Sequence, residues 1–150
     1  SKKIPNTARF GFEKQQCITS YYFGEIAFRQ GKYQLADDCY QKALMLAELE
    51  QWKKQITYCK GGLSLVAINK GELGKAEMLL TFAVEAAKEY QDKRAIAKCY
   101  YSLATLAEKQ ENPESFCQWV RLAKAEFERL GMTVASNQMK RWLEAKHSVD

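Results

Sequence analysis

Few residues in this sequence are of types that could do chemistry, and their spacing does not support it. The segment GELGKA at 71–76 has two residues between its glycines and an alanine after the lysine, whereas a phosphate-binding loop needs four residues there and a Ser or Thr. Asp37 and Asp38 are adjacent, so their carboxylates diverge on a helix. The single histidine, His147, has no second ligand or nucleophile nearby in the sequence. We therefore expect a non-enzymatic protein without a metal or cofactor.

The cysteines also argue against chemistry. There are five, an odd number, and none forms a C-x-x-C pair, which indicates neither a disulfide framework nor a zinc site. Cys59 and Cys99 stand forty residues apart, with Met139 at the next equivalent position. Small, soft side chains at equivalent positions are typical of apolar packing. We interpret the cysteines as structural and expect a reducing compartment.

A forty-residue repeat organises the chain. The first half of the unit repeats in three columns of equivalent positions: Phe23, Leu63, Leu103 and Leu143; Ile26, Val66 and Leu106; Ala27, Ala67 and Ala107. The second half repeats as Ala36 and Ala76; Tyr40, Leu80 and Val120; and Ala43, Ala83 and Ala123. Spacings of three and four within each half predict helices whose core faces carry these columns. Gly31 and Gly71 between the halves favour a turn. Each unit is thus predicted to be a helical hairpin that must stack on its neighbours.

The repeat resembles a known family. The residues that carry the resemblance are Gly24, Ser64, Ala27, Ala67, Gly31, Gly71, Ala36, Ala76, Tyr40, Ala43 and Ala83. Their arrangement is similar to the tetratricopeptide repeat (TPR), over nearly the whole chain, with a period longer than the usual thirty-four residues. The resemblance implies an all-α, right-handed α-solenoid of three hairpins plus a C-terminal capping helix, within a larger regulatory or adaptor protein.

The register of the repeat predicts the boundaries. We expect a tail of a preceding repeat or a linker at 1–12, three repeats at 13–52, 53–92 and 93–132, and a capping helix and tail at 133–150. First helices are predicted at 13–30, 53–70 and 93–110, and second helices at 33–51, 73–90 and 113–130. The FGF segment at 10–12 aligns with LGM at 130–132. We therefore expect it to end one helix and lead into the next, as in a fragment of a longer array.

The third hairpin and the capping helix each depart from the repeat at one large residue, Phe116 and Trp142. Asn112 and Pro113 predict a capped helix start. Phe116, however, replaces the alanine of Ala36 and Ala76, so the third hairpin is expected to open or shift there. Trp142, large where Gly62 and Ser102 are small, is expected to cover the exposed end of the stack.

The face of the first helices opposite their core stripe is the predicted partner-binding surface. In the resembled family these positions line a concave groove that holds a peptide or a partner helix. The predicted binding residues are Tyr21, Glu25, Arg29, Tyr58, Asn69, Lys98, Tyr101, Thr105 and Lys109. The alternative is that Phe28, Leu65 and Ile68 pack on neighbouring repeats and the rest is solvated surface.

One specificity device of the family is not matched. A clamp on a C-terminal carboxylate would need Lys at Tyr21, Asn at Glu25 and Gly62, Lys at Lys98 and Arg at Ser102, and only Lys98 agrees. Glu25 would repel a carboxylate. We therefore predict that the chain is not a receptor for chaperone tails.

Charge gives a second hypothesis. The net charge is +5, and basic pairs recur at the starts of two successive first helices, Lys53 with Lys54 and Lys93 with Arg94, while Lys140 and Arg141 follow within the fourth. Cations at helix starts oppose the dipole, so a basic edge that meets nucleic acid or an acidic partner is the alternative function, with nucleic acid the less favoured. The segment at 1–10 lacks the apolar core of a signal peptide and no run of apolar residues is long enough for a membrane span. We expect a cytoplasmic protein, with self-association through exposed ends left open.

Overall fold

The computed structural model describes the backbone of residues 6–149 and the side chains of residues 11–146. Within that part the chain forms seven α-helices and no strand: α1 (Asn6–Arg29), α2 (Tyr33–Leu49), α3 (Lys53–Asn69), α4 (Leu73–Glu89), α5 (Lys93–Lys109), α6 (Pro113–Arg129) and α7 (Thr133–Val149). The prediction of an all-α protein is confirmed. The helices from α2 onward begin at the predicted residues and end one or two residues from the predicted ends.

All six turns close in the same way. The residue with positive φ is Gly31, Gln51, Gly71, Gln91, Glu111 or Gly131 in turn. In each, the next backbone N–H reaches back to a carbonyl five residues earlier, as from Lys32 to Ala27 at 2.9 Å and from Trp52 to Ala47 at 2.8 Å. This is the Schellman arrangement, which satisfies carbonyls at the helix end. Turns therefore recur every twenty residues, with glycine in only half of them.

The helices pack in chain order. Each contacts the next, and α1 also contacts α3, as α3 contacts α5. The buried columns of α2, α4 and α6 repeat as predicted, with Ala43, Ala83 and Ala123 fully buried. The result is a helical, repeat-like fold in which α1, α3 and α5 lie next to one another.

The start of α1 differs from the prediction. This helix begins at Asn6 and runs without interruption to Arg29, so the predicted start at Glu13 and the predicted link at 10–12 are wrong. Gly11 lies inside the helix, where an added Cβ would meet nothing within 4 Å. Gly11 does not end the helix, because an exposed glycine inside a helix costs only about 1 kcal/mol relative to alanine. The part of the predicted tail at 1–5 lies outside the described residues.

The first helix also exposes part of its predicted core. Phe23 is 59% exposed and Ile26 is 49% exposed, whereas their equivalents Leu63 and Val66 are 2% and 1% exposed. Both residues were expected to be buried, and that expectation is wrong. The difference arises because α2 covers this face of α3, while nothing in the described structure covers it on α1.

Phe116 is accommodated on the side of α7. Its side chain is buried, its ring stacks on Trp142 with centroids 5.9 Å apart, and Trp142 also stacks on Tyr101 at 5.3 Å. Trp142 therefore fills the space between α5, α6 and α7. The predicted cap at α6 holds as well, since the side chain of Asn112 accepts a hydrogen bond from the Ser115 N–H at 3.1 Å.

Tyr40 sets the distance between the first two hairpins. Its ring lies against glycines of two helices: a Cβ added at Gly24 would be 2.8 Å from the ring, and one at Gly62 would be 2.6 Å from it. Real Cβ atoms do not approach that closely. The two backbones therefore lie against the ring of Tyr40 only because neither position carries a side chain.

Adjacent glycines of α3 test this contact. We expect Gly62→Ala to lower the free energy of unfolding by about 1–3 kcal/mol through overpacking. Gly61→Ala places its Cβ in open space, so it should raise stability by about 1 kcal/mol through helix propensity. Urea unfolding followed by circular dichroism measures both. Equal effects of the two substitutions would show that Tyr40 does not occupy this position.

Candidate functional site

A cavity of about 330 Å³ opens along the first helices of the repeats, and we call it the groove. Residues of α1, α3, α5 and α7 line it. Six of the nine predicted binding residues contribute: Tyr21, Glu25, Arg29, Tyr58, Lys98 and Tyr101. The structure therefore brings together side chains that lie far apart in the sequence.

The other three predicted residues do not line the groove. The Asn69 side chain donates to the Leu65 carbonyl at 3.0 Å, and the Thr105 hydroxyl donates to the Tyr101 carbonyl at 3.1 Å. Lys109 is exposed near the end of α5. None of the three lines the groove, although Arg29, the residue of α1 equivalent to Asn69 and Lys109, does.

The alternative interpretation of this face also meets a mixed result. Ile68 is buried at 1% exposure, so it does pack in the core. Phe28 and Leu65 are partly buried against core clusters and also line the groove, and the Phe28 ring lies 5.4 Å from that of Tyr33. The groove wall is consequently more apolar than the nine predicted residues suggest.

A charged cluster spans the groove from α1 to α5. The Tyr21 hydroxyl donates to Glu25 Oε1 at 2.9 Å. Lys98 Nζ lies 3.5 Å from the same oxygen and 3.4 Å from the Tyr21 hydroxyl. The side chains of Lys98 and Glu25 are 37% and 22% exposed to solvent, so the ion pair contributes little to stability. Its importance lies in its position at the centre of the groove.

Aromatic rings surround this cluster. The Tyr21 ring lies 5.7 Å from Tyr40 and 6.1 Å from Tyr58. The Lys98 ammonium lies 5.3 Å from the centre of the Tyr58 ring and 5.9 Å from that of Tyr21, within the range of a cation–π interaction. The groove thus offers ring faces next to one cation and one carboxylate.

Asp92 supports the groove and was not singled out from the sequence. Its carboxylate accepts a hydrogen bond from the Tyr58 hydroxyl at 3.1 Å and one from the Ala95 N–H at 3.1 Å, which caps α5. An acidic residue just before a helix start is a capping signal that could have identified the second role. The contact with Tyr58 crosses from α3 to the start of α5, which no sequence signal reveals.

Helix α7 and the turn before it contribute residues that the prediction did not include. Met132, Ala135 and Gln138 line the groove. Gln138 stands forty residues after Lys98, which stands forty after Tyr58. Extending that column by one period would have found it.

Burial changes the acid–base behaviour of the groove tyrosines. Desolvation raises the pKa of Tyr21 far above its ordinary value, and the neighbouring Glu25 carboxylate raises it further. Burial, followed by Asp92, raises the pKa of Tyr58 to about 12. Burial also raises the pKa of Tyr101. All three hydroxyls remain protonated donors at neutral pH.

Three of the five cysteines are packed in the interior of the described structure. Cys17, Cys59 and Cys99 are buried, and the Cys17 thiol donates to the Ala43 carbonyl at 3.2 Å. Burial raises the pKa of Cys99 to about 12. Protonated thiols are poor nucleophiles, which supports a packing role for these side chains.

The proposed basic edge is exposed. All six of its residues are solvent-accessible. Lys54 Nζ, however, lies 3.9 Å from Asp92, so part of this charge is balanced within the protein.

The described residues form no metal-binding cluster. No group of three or more His, Cys, Asp or Glu side chains among them is arranged to hold a metal ion, and the side chain of His147 lies outside that set. None of the described helices combines the length and the apolar character that crossing a membrane requires.

Comparison with known proteins gives no family: no protein-family model matches the chain, and no curated protein matches it significantly.

The raised pKa of Tyr21 predicts loss of stability at alkaline pH. The unfolded chain releases this proton near pH 10, whereas the folded protein holds it at higher pH. Its contribution is therefore complete below about pH 10 and is lost as the pH rises further. Between about pH 9 and 11, the urea midpoint of Tyr21→Phe should fall less than that of the wild type. Tyr22→Phe, at an exposed position, should fall like the wild type, and identical slopes for all three would contradict the prediction.

Proposed function

We propose that this chain is a non-enzymatic protein-interaction module that holds an extended peptide or a partner helix in the groove. The observation that carries the proposal is the convergence of Tyr21, Tyr58 and Tyr101 with Lys98 and Glu25 around one cavity. Tyrosine combines a large apolar surface with a hydrogen-bonding head and is favoured at interfaces. Such a surface suits a polypeptide ligand, which offers both apolar side chains and backbone groups.

We further propose that the helices form a right-handed α-solenoid of three tetratricopeptide-like hairpins with α7 as the cap. The forty-residue period and the contacts of α1 with α3 and α3 with α5 support this architecture. In a solenoid the first helices lie side by side and create one extended concave surface. The groove occupies that position.

The chemistry of the groove favours a ligand with an apolar or aromatic side chain beside a polar group. Ring faces and Phe28 supply apolar contact, while Arg29 supplies an exposed cation at the rim. The charges of Lys98 and Glu25 already satisfy one another. A strongly charged ligand group would have to separate them, so an acidic group of the ligand is expected to lie at Arg29 on the rim instead.

The alternative function is binding of nucleic acid or an acidic partner through the basic edge. Its support is the exposure of Lys53, Lys93, Arg94 and Arg141. Binding of that kind weakens steeply as salt is raised because counterions are released.

A peptide display library, selected on the immobilised chain, tests the groove. Selected peptides should lose at least about tenfold in affinity on Arg29→Glu, which changes an exposed residue of the groove rim. Lys109→Glu makes the same change of charge outside the groove and should have little effect. Tyr101→Ala is a less useful probe, because its ring stacks on Trp142 and its loss would also destabilise α7.

The outcomes separate the two functions. Peptides that bind Arg29→Glu and the wild type equally would refute the proposal that the groove is the peptide-binding site. Capture of single- or double-stranded nucleic acid that is lost at high salt, and lost with Lys93→Glu and Arg94→Glu, would move the function to the basic edge.

The groove also predicts weak binding of C-terminal carboxylates. Lys98 already forms an ion pair with Glu25. An acidic peptide with a free C-terminus should therefore bind no better than its amidated form. Glu25→Gln keeps the shape and removes the competing charge, and it should create a preference for the free carboxylate, measured by fluorescence anisotropy. A wild-type protein that binds the free acid at micromolar concentration and loses it with Lys98→Ala would contradict this.

A further inference from the structure

The outer face of α1 is exposed at positions that are buried or partly buried in every later repeat. We call it the α1 face, and it consists of Thr19, Tyr22, Phe23 and Ile26. Tyr22 is 57% exposed and Phe23 is 59% exposed. The corresponding residues of α3 are all buried: Cys59, Gly62, Leu63 and Val66.

The later repeats show what kind of element covers such a face. In each case it is the second helix of the preceding repeat, since α2 packs on α3, α4 on α5 and α6 on α7. The buried residues of these covering helices follow one pattern, with an apolar residue of variable size, an alanine three positions later, and an alanine or phenylalanine seven positions later. The residues are Tyr40, Ala43 and Ala47 in α2, Leu80, Ala83 and Ala87 in α4, and Val120, Ala123 and Phe127 in α6.

At the repeat positions of Tyr40 and Gly62, the sizes of the two residues are inversely related from one repeat to the next. Tyr40, the largest variable residue, lies against Gly62, where a Cβ would be 2.6 Å from its ring. Leu80 in α4 corresponds to Ser102 in α5, and Val120 in α6 corresponds to Trp142 in α7. As the residue of the covering helix becomes smaller, the residue of the covered helix becomes larger. This is the compensation that a closely packed interior requires.

Tyr22 is the residue of α1 that corresponds to Gly62, Ser102 and Trp142. It is large, so its partner position must be small. A shallow cavity of about 230 Å³ beside Phe12, Thr19 and Phe23 lies along the same face.

We infer that the α1 face is a docking site for an amphipathic helix supplied by a partner polypeptide. The helix carries a small residue opposite Tyr22 and an alanine three positions later. The α1 face continues the mode of packing that the α2–α3, α4–α5 and α6–α7 interfaces already use. This site is separate from the groove and does not depend on the proposed function.

Two helix-locked peptides serve as probes. The first has the sequence of α2, Tyr33–Leu49, with a hydrocarbon crosslink between positions 34 and 38, which are exposed in α2. The second is the same peptide with Tyr40→Ala. The crosslink is needed because a free helix of this length is marginal in water.

The wild-type protein should bind the alanine peptide at least about tenfold more tightly than the tyrosine peptide. Tyr22→Ala should reverse that preference. A reversal cannot result from partial unfolding, which would weaken both peptides alike. Phe23→Glu should abolish binding of both, while Arg29→Glu in the groove should leave it unchanged.

Other results would overturn the inference. Binding that is absent, or that shows no dependence on Tyr22, would refute the size rule. Sedimentation velocity showing a dimer of the wild type that Phe23→Glu dissociates would show that a second copy, rather than a partner helix, covers this face.

Discussion

One hydrogen bond, made six times, determines how the chain can pack. Each turn places a residue at positive φ and returns the following N–H to the carbonyl of an Ala or Phe in the helix before it. Since the turns recur every twenty residues, the helices from α2 to α6, which have a turn at each end, are each seventeen residues long. Equal lengths keep the small-residue columns in register. Only in that register can the Tyr40 ring lie against glycines of α1 and α3.

Much of the fold was predictable because the turns recur every twenty residues and the apolar positions of the helices repeat with them. The helices α2 to α7 start at the predicted residues, even where Gln51, Gln91 and Glu111 take the place of glycine at positive φ. The start of α1 was wrong because a single local match, the glycine at 11, was read as a turn. Periodicity identifies a turn when several columns agree, and at 10–12 only one did.

The groove was predicted less completely than the fold, for a physical reason. A column in the sequence tells which face of a helix a residue occupies, and that was enough to find Tyr21, Tyr58 and Lys98. It does not tell which members of a column line the cavity: Arg29 does, whereas the equivalent Asn69 and Lys109 do not. The side chains of Asn69 and Thr105 instead bond to the backbone of their own helices. Burial likewise depends on the covering helix. Phe23 and Leu63 share a column, but only Leu63 is covered.

The pair of Lys98 and Glu25 connects α1 to α5 across α3, although its members lie 73 positions apart along the chain. In a stack where each repeat touches only its neighbours, stability is approximately a sum of nearest-neighbour contributions, and terminal repeats can unfold by themselves. A contact from the first repeat to the third adds coupling beyond the nearest neighbour. Fraying of the first hairpin therefore also breaks a contact of the third. Because the pair is partly exposed and adds little to stability, it links the conformation of the groove, rather than the stability of the whole stack, to the first hairpin.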